Sequence, residues 1–133
     1  MTDERLTRLE AITLFVEDLA AARRFYGEAL GLELIAKDAV SALFSTEGPM
    51  INLLQAARAG ELVAPRAPGG PGAGPRAMLT LRVADVDAVC ARLAAAGVAL
   101  LNGPLDRPWG RRTAAFQDPA GHVWEVAQVL EGG

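Results

Sequence analysis

The chain has 133 residues, of which 51% are hydrophobic and 22% charged, with a formal net charge of −3. That suffices for one domain with its own core, is too short for two ordinary ones, and excludes an intrinsically disordered chain. No basic excess exists to neutralise phosphates, so neither nucleic acid nor an anionic membrane is an expected partner. One cysteine excludes an intrachain disulfide, and one histidine excludes any single-chain site that needs two imidazoles. The opening MTDERLTRLE contains no apolar stretch for a signal peptide or a membrane span, and a cytoplasmic location is the expectation.

In chain order, Ala11 to Glu17 is an apolar, β-branched run that predicts a strand, and Asp18 stands where a helix N-cap is wanted. Leu19, Ala22, Tyr26 and Ala29 make one apolar stripe, which stops at Gly31, a residue suited to the left-handed position after a helix. Short apolar runs follow at Leu32 to Ile35, Ala42 to Phe44 and Ile51 to Gln55, with hairpin chemistry in Ser45-Thr-Glu-Gly-Pro49. Residues 56–77 form a linker rich in proline and glycine from Pro65 to Pro75. A helical turn is expected near Ala57 to Val63, and poor order in the glycine-rich part. The pattern then starts again: strand Met78 to Ala84, cap Asp85, stripe Val86, Val89, Cys90 and Leu93, Gly97, strand Val98 to Leu101, turn Asp118-Pro-Ala-Gly-His122 and a last strand.

This is a duplication. Leu14-Phe-Val-Glu-Asp-Leu19 matches Leu81-Arg-Val-Ala-Asp-Val86, and Ile51-Asn-Leu-Leu-Gln55 matches Trp124-Glu-Val-Ala-Gln128. The expected architecture is α+β: a single domain of two βαβββ modules, about 10–55 and 78–128, whose mixed sheets curl into a concave cleft with helices outside.

The motifs Phe15-Val-Glu-Asp-Leu followed by Arg24-Phe-Tyr26 and Gly31-Leu32, together with Phe116-Gln-Asp-Pro-Ala-Gly-His-Val-Trp-Glu125, resemble the vicinal oxygen chelate superfamily. That superfamily includes glyoxalase I, extradiol dioxygenases and bleomycin-resistance binding proteins, and the resemblance runs from about Glu10 to Gln128. It implies four metal-ligand slots, on the first and fourth strand of each module, which here hold Ala11, Asn52, Met78 and Glu125. The repeat pairs Ala11 with Met78 and Asn52 with Glu125. Alanine has no donor, a thioether is too soft for zinc, manganese or iron(II), and an asparagine carbonyl is neutral. Only Glu125 is a good ligand, and no metal or other cofactor is expected, with a divalent ion as the runner-up.

Strand alternation puts Thr13, Phe15, Leu54, Thr80, Arg82, Val123 and Ala127 on the faces that carry these slots. The result is a mostly apolar surface with a few polar groups, as small-molecule sites are made. Glu125 reads either as an acceptor or general base on that surface, or as a structural carboxylate paired with Arg82 or another arginine. Asn52 orients a ligand or satisfies a backbone group, and Met78 is pocket wall or core filler. Trp109, in a Pro108-Trp-Gly segment similar to one in the bleomycin-resistance proteins, is a platform for a planar ligand or a loop pin. Trp124 and Cys90 are expected in the core, and His122 in a surface turn. The functional expectation is a metal-independent protein that sequesters an apolar or planar compound, assembled as a homodimer. The alternative is an enzyme of the same superfamily, metal-dependent or using Glu125 as acid and base.

Overall fold

The computed structural model describes residues 5–131. The first module runs β1 (Ala11–Val16), α1 (Leu19–Arg24) continuing as a π-helical turn (Phe25–Ala29), β2 (Glu33–Lys37), β3 (Ser41–Ser45) and β4 (Met50–Gln55). The linker carries a 3₁₀ turn (Ala56–Arg58), α2 (Gly60–Val63) and a second 3₁₀ turn (Pro71–Ala73). The second module is β5 (Met78–Arg82), α3 (Val86–Ala95), β6 (Leu100–Arg107), β7 (Arg111–Gln117) and β8 (Val123–Val129). Each module makes a four-stranded mixed sheet, in the orders β1-β4-β3-β2 and β5-β8-β7-β6. The first and fourth strands of each are parallel, and the other neighbours antiparallel.

Local chemistry sets the element ends as the sequence predicts. Asp18 accepts from the Ala21 amide and Asp85 from the Ala88 amide, both at 3.0 Å, capping α1 and α3. Gly31 and Gly97 take φ of +71° and +82° just past the helices. Asp85→Ala removes the acceptor at the start of α3, and an expected loss of about 1 kcal/mol follows. Urea denaturation checks it, as a lower midpoint with an unchanged slope.

Two strands depart from expectation. β2 continues to Lys37, and β6 runs from Leu100 to Arg107 instead of ending at Leu101. The Gly103-Pro104 pair reads as a strand terminator, but here it forms an irregularity inside β6, where pairing shifts between Asn102 and Leu105. Gly103 is at φ +88°, and a Cβ on it would meet the Thr113 carbonyl oxygen at 2.5 Å and the Ala114 Cα at 2.8 Å. Only glycine allows β6 to approach β7 so closely.

The core is continuous through both modules. Leu14, Val16, Phe44, Ile51 and Leu53 from one sheet join Ala114, Phe116, Trp124 and Val126 from the other, with Val86 and Leu93 of α3. The π-helical turn sits between the two sheets. The Tyr26 ring lies 6.2 Å from Phe44 of the first sheet and 5.8 Å from Trp124 of the second, and Phe25 lies 6.1 Å from Phe116. Trp124 is buried, as expected. Both sheets thus turn one apolar face toward a shared core, and by alternation the faces that carry Asn52 and Glu125 turn away from it.

Candidate functional site

Pairing register lays out the two outward faces row by row. On the first sheet Thr13, Asn52 and Leu43 stand opposite one another across β1, β4 and β3. On the second, Thr80, Glu125, Ala115 and Asn102 form the equivalent row across β5, β8, β7 and β6. The duplication is visible in the side-chain bonds. The Asn52 amide nitrogen donates to the Thr13 hydroxyl at 3.4 Å, and the Thr80 hydroxyl donates to Glu125 Oε1 at 3.1 Å. Parallel pairing of first and fourth strands places a threonine beside each of these polar residues.

Glu125 therefore has a threonine for a partner. Among the described residues it forms no ion pair, and Arg82 is exposed and forms none either. The surroundings stay open: Thr13 and Thr80 are exposed, and Met78 is 50% exposed, so it lies on the outward surface and not in the core. Ala11, Phe15, Asn52, Leu54 and Glu125 are half-buried. Trp109 is 63% exposed, in the turn between β6 and β7, with the Arg107 guanidinium 5.9 Å from its ring centre. It therefore pins no loop to the core.

Two cavities lie along β1 and β5, with Ile12 and Leu79, which pack against the core, lining both. One, of about 330 Å³, is closed by linker residues 69–77 against β1, β5 and the turn before β8, and includes Phe15 and His122. Another, of about 700 Å³, lies between the β3–β4 turn and β5 and includes Thr80 and Arg82. Neither is lined by Ala11, Asn52, Met78, Trp109 or Glu125. Those residues occupy open sheet surface.

The donor set does not fit a divalent ion. Such an ion takes three or more hard oxygen or nitrogen ligands. The four slots offer one carboxylate, one neutral amide, one thioether and one methyl group. Among the described residues, no three His, Cys, Asp or Glu side chains are grouped to hold an ion.

Two features escaped the sequence reading. Arg107 stands on the Glu125 face and folds back over it, its Nε donating to the Thr113 hydroxyl at 2.9 Å and its Nη2 to Asn102 Oδ1 at 3.2 Å. The other is a buried polar cluster on the opposite side of the sheet. Tyr26 donates from its hydroxyl to Asp118 Oδ2 at 2.6 Å and accepts from Trp124 Nε1 at 3.0 Å. Asp118 also accepts from the Ala120 and His122 amides at 2.9 Å, and the His122 Nδ1 lies 2.8 Å from it. His122 is thus a half-buried partner of Asp118 and not a free surface residue. Burial and the Asp118 charge push the Tyr26 hydroxyl far above the ordinary tyrosine range. Burial alone works to raise the Asp118 carboxyl, but the bonds from His122 and Tyr26 outweigh it and hold the group below the usual carboxylate value. Cys90 is half-buried on α3, its thiol pushed up by burial and by Asp87, and it faces packing rather than chemistry.

Known proteins share this fold. The family model for the Glyoxalase/Bleomycin resistance protein/Dioxygenase superfamily matches residues 8–126. No curated protein matches the sequence. Among solved structures, a glyoxalase/bleomycin resistance protein/dioxygenase from Nocardioides superposes with a TM-score of 0.85 at 30% identity, over 99% of this chain and 89% of that one. The antibiotic-binding protein TnmS3 from a Streptomyces species superposes at 0.73 with 30% identity, over 95% and 98%. A lactoylglutathione lyase from Agrobacterium tumefaciens is similar in fold alone, at 0.76 and 22% identity over 94% and 96%. The duplicated βαβββ unit and the family match lead to one conclusion: the chain belongs to the glyoxalase/bleomycin resistance protein/dioxygenase superfamily.

Proposed function

We propose that this protein binds a small apolar or planar molecule without a metal ion, on the sheet faces that carry Asn52 and Glu125. The observation that carries the reading is the content of the four ligand slots, where Thr80 and Thr13 are the bonded neighbours of Glu125 and Asn52. A surface of this kind gives apolar contact area plus a few directional polar groups, which suits binding. Similarity to an antibiotic-binding protein at 30% identity supports the same direction. Thr13, Phe15, Asn52, Leu54, Met78, Thr80, Arg82, Trp109 and Glu125 are the proposed contact residues.

We propose further that the working unit is a homodimer. Both faces are outward, with half-buried Phe15 and Leu54 on one and exposed Met78 and Leu105 on the other, and one copy leaves each uncovered. A twofold partner that lays its Glu125 face over the Asn52 face would close both at once. Light scattering at micromolar concentration should give twice the chain mass; a monomer would contradict this.

A compound found by thermal-shift screening is expected to bind chelator-treated protein as well as untreated protein. Glu125→Gln and Trp109→Ala should each weaken it by about tenfold, the cost of one charge-assisted bond or one aromatic contact. Equal binding by wild type and both variants would show that the site lies elsewhere. Turnover that Glu125→Gln abolishes while binding persists would favour the enzymatic alternative, with Glu125 as acid and base.

A further inference from the structure

Resting on the reading that the Glu125 face is the binding surface, the geometry points to Arg107 as its second polar pole, and to a planar organic anion carrying a hydrogen-bond donor as the ligand class. Arg107 pairs with Arg111 at the end of the hairpin, so its side chain begins two rows from Glu125. It bends back along the sheet, anchored by the Thr113 hydroxyl and the Asn102 amide oxygen. Asn102 belongs to the same row as Glu125, with Ala115 between them. The guanidinium and the carboxylate thus stand on either side of Ala115, whose own side chain is buried, so a ligand that spans them lies over the two poles. Their strands are two spacings apart, about 10 Å.

The two poles differ in what they leave open. Arg107 uses Nε–H and one Nη2–H on its anchors, and among the described residues it forms no ion pair, so Nη1 and the second Nη2 hydrogen remain for an acceptor. Glu125 accepts once, at Oε1 from Thr80, and keeps acceptor capacity for a donor. A planar fork favours carboxylate, phenolate or enolate oxygens at one end of the ligand. Glu125 calls for an O–H or N–H at the other. The exposed Trp109 ring beside Arg107 favours a flat ring system in the ligand.

The test uses 6-hydroxy-2-naphthoate as probe, which has a carboxylate and a hydroxyl at opposite ends of a flat frame. The controls are 2-naphthoate, without the hydroxyl, and 2-naphthol, without the carboxylate. Calorimetric titration of wild type should rank the two-ended probe tightest. Arg107→Gln should weaken both carboxylates by about tenfold and leave 2-naphthol unchanged, with Arg107→Lys between. Glu125→Gln should weaken 6-hydroxy-2-naphthoate and 2-naphthol and spare 2-naphthoate. Circular dichroism and thermal melts of each variant confirm that it remains folded. A carboxylate preference that survives Arg107→Gln overturns the assignment of Arg107 while the Glu125 response upholds the site. Probe binding that neither variant changes overturns both. Failure of all three probes to bind wild type at millimolar concentration overturns the ligand class, and leaves the Glu125 site to the compound found by screening.

Discussion

Asp118→Ala is expected to destabilise the protein by about 3 kcal/mol, because buried donors then lose their acceptor at a cost of about 1–3 kcal/mol each. The carboxylate accepts from the Tyr26 hydroxyl, two backbone amides and faces the His122 ring, and both it and Tyr26 are buried. Its loss opens the turn before β8 and cuts a link between residues 92 positions apart, from the helix of one module to the sheet of the other. Tyr26→Phe removes two bonds of the same cluster, the one to Asp118 and the one from Trp124, but leaves Asp118 its backbone donors and should cost less, about 1–2 kcal/mol. The same carboxylate gives a pH dependence with a defined sign. Its folded pKa lies below the ordinary value, so the unfolded chain binds the proton more tightly. The stabilisation is complete above the unfolded carboxyl pKa of about 3.9, and is lost as pH falls through the depressed folded value. Denaturation midpoints measured from pH 6 down to pH 3 should fall at the acid end in wild type and fall less in Asp118→Ala.

Gly103→Ala is expected to be nearly as damaging, at about 2–4 kcal/mol from the left-handed backbone and the steric conflict together. The added methyl would lie 2.5 Å from the Thr113 carbonyl oxygen, which is backbone and cannot swing aside. The substitution should also displace Asn102 and Leu105, the residues on either side of the irregularity in β6, and with them Arg107 further along the strand. Chemical denaturation measures the stability loss. A variant as stable as wild type would mean that β6 does not approach β7 as described.

The duplication, the helix caps, the glycines after α1 and α3 and the two hairpin turns were legible because each depends on neighbours in the chain. The Leu19, Ala22, Tyr26, Ala29 stripe likewise found its buried face. Asp118 was legible only as a turn residue, since its bond to Tyr26 depends on how one module lies on the other. β6 was cut short because Gly103 and Pro104 carry the local chemistry of a stop, and a bulge inside a strand looks the same. A strand that ends at Leu101 leaves Arg107 outside it. The Thr80 partner of Glu125 was within reach: pairing the first and fourth strands of each repeat in parallel puts Thr13 by Asn52 and Thr80 by Glu125. The alternative that pairs Glu125 with Arg82 or another arginine favours charge over register, and here the neighbour in register, Thr80, is the bonded one.

The proposed site joins an Asn52 face from one copy to a Glu125 face from another, and complementation between two disabled chains tests this most directly. Asn52→Trp and Glu125→Trp each fill one half-site with a bulky ring, and each homodimer should lose binding of the screened compound. In a mixed dimer of the two variants, one site carries both substitutions and the other carries neither. The account predicts that co-expressed, tag-selected mixed dimers recover wild-type affinity at one site per dimer. Mixed dimers that bind no better than the two parents would contradict it.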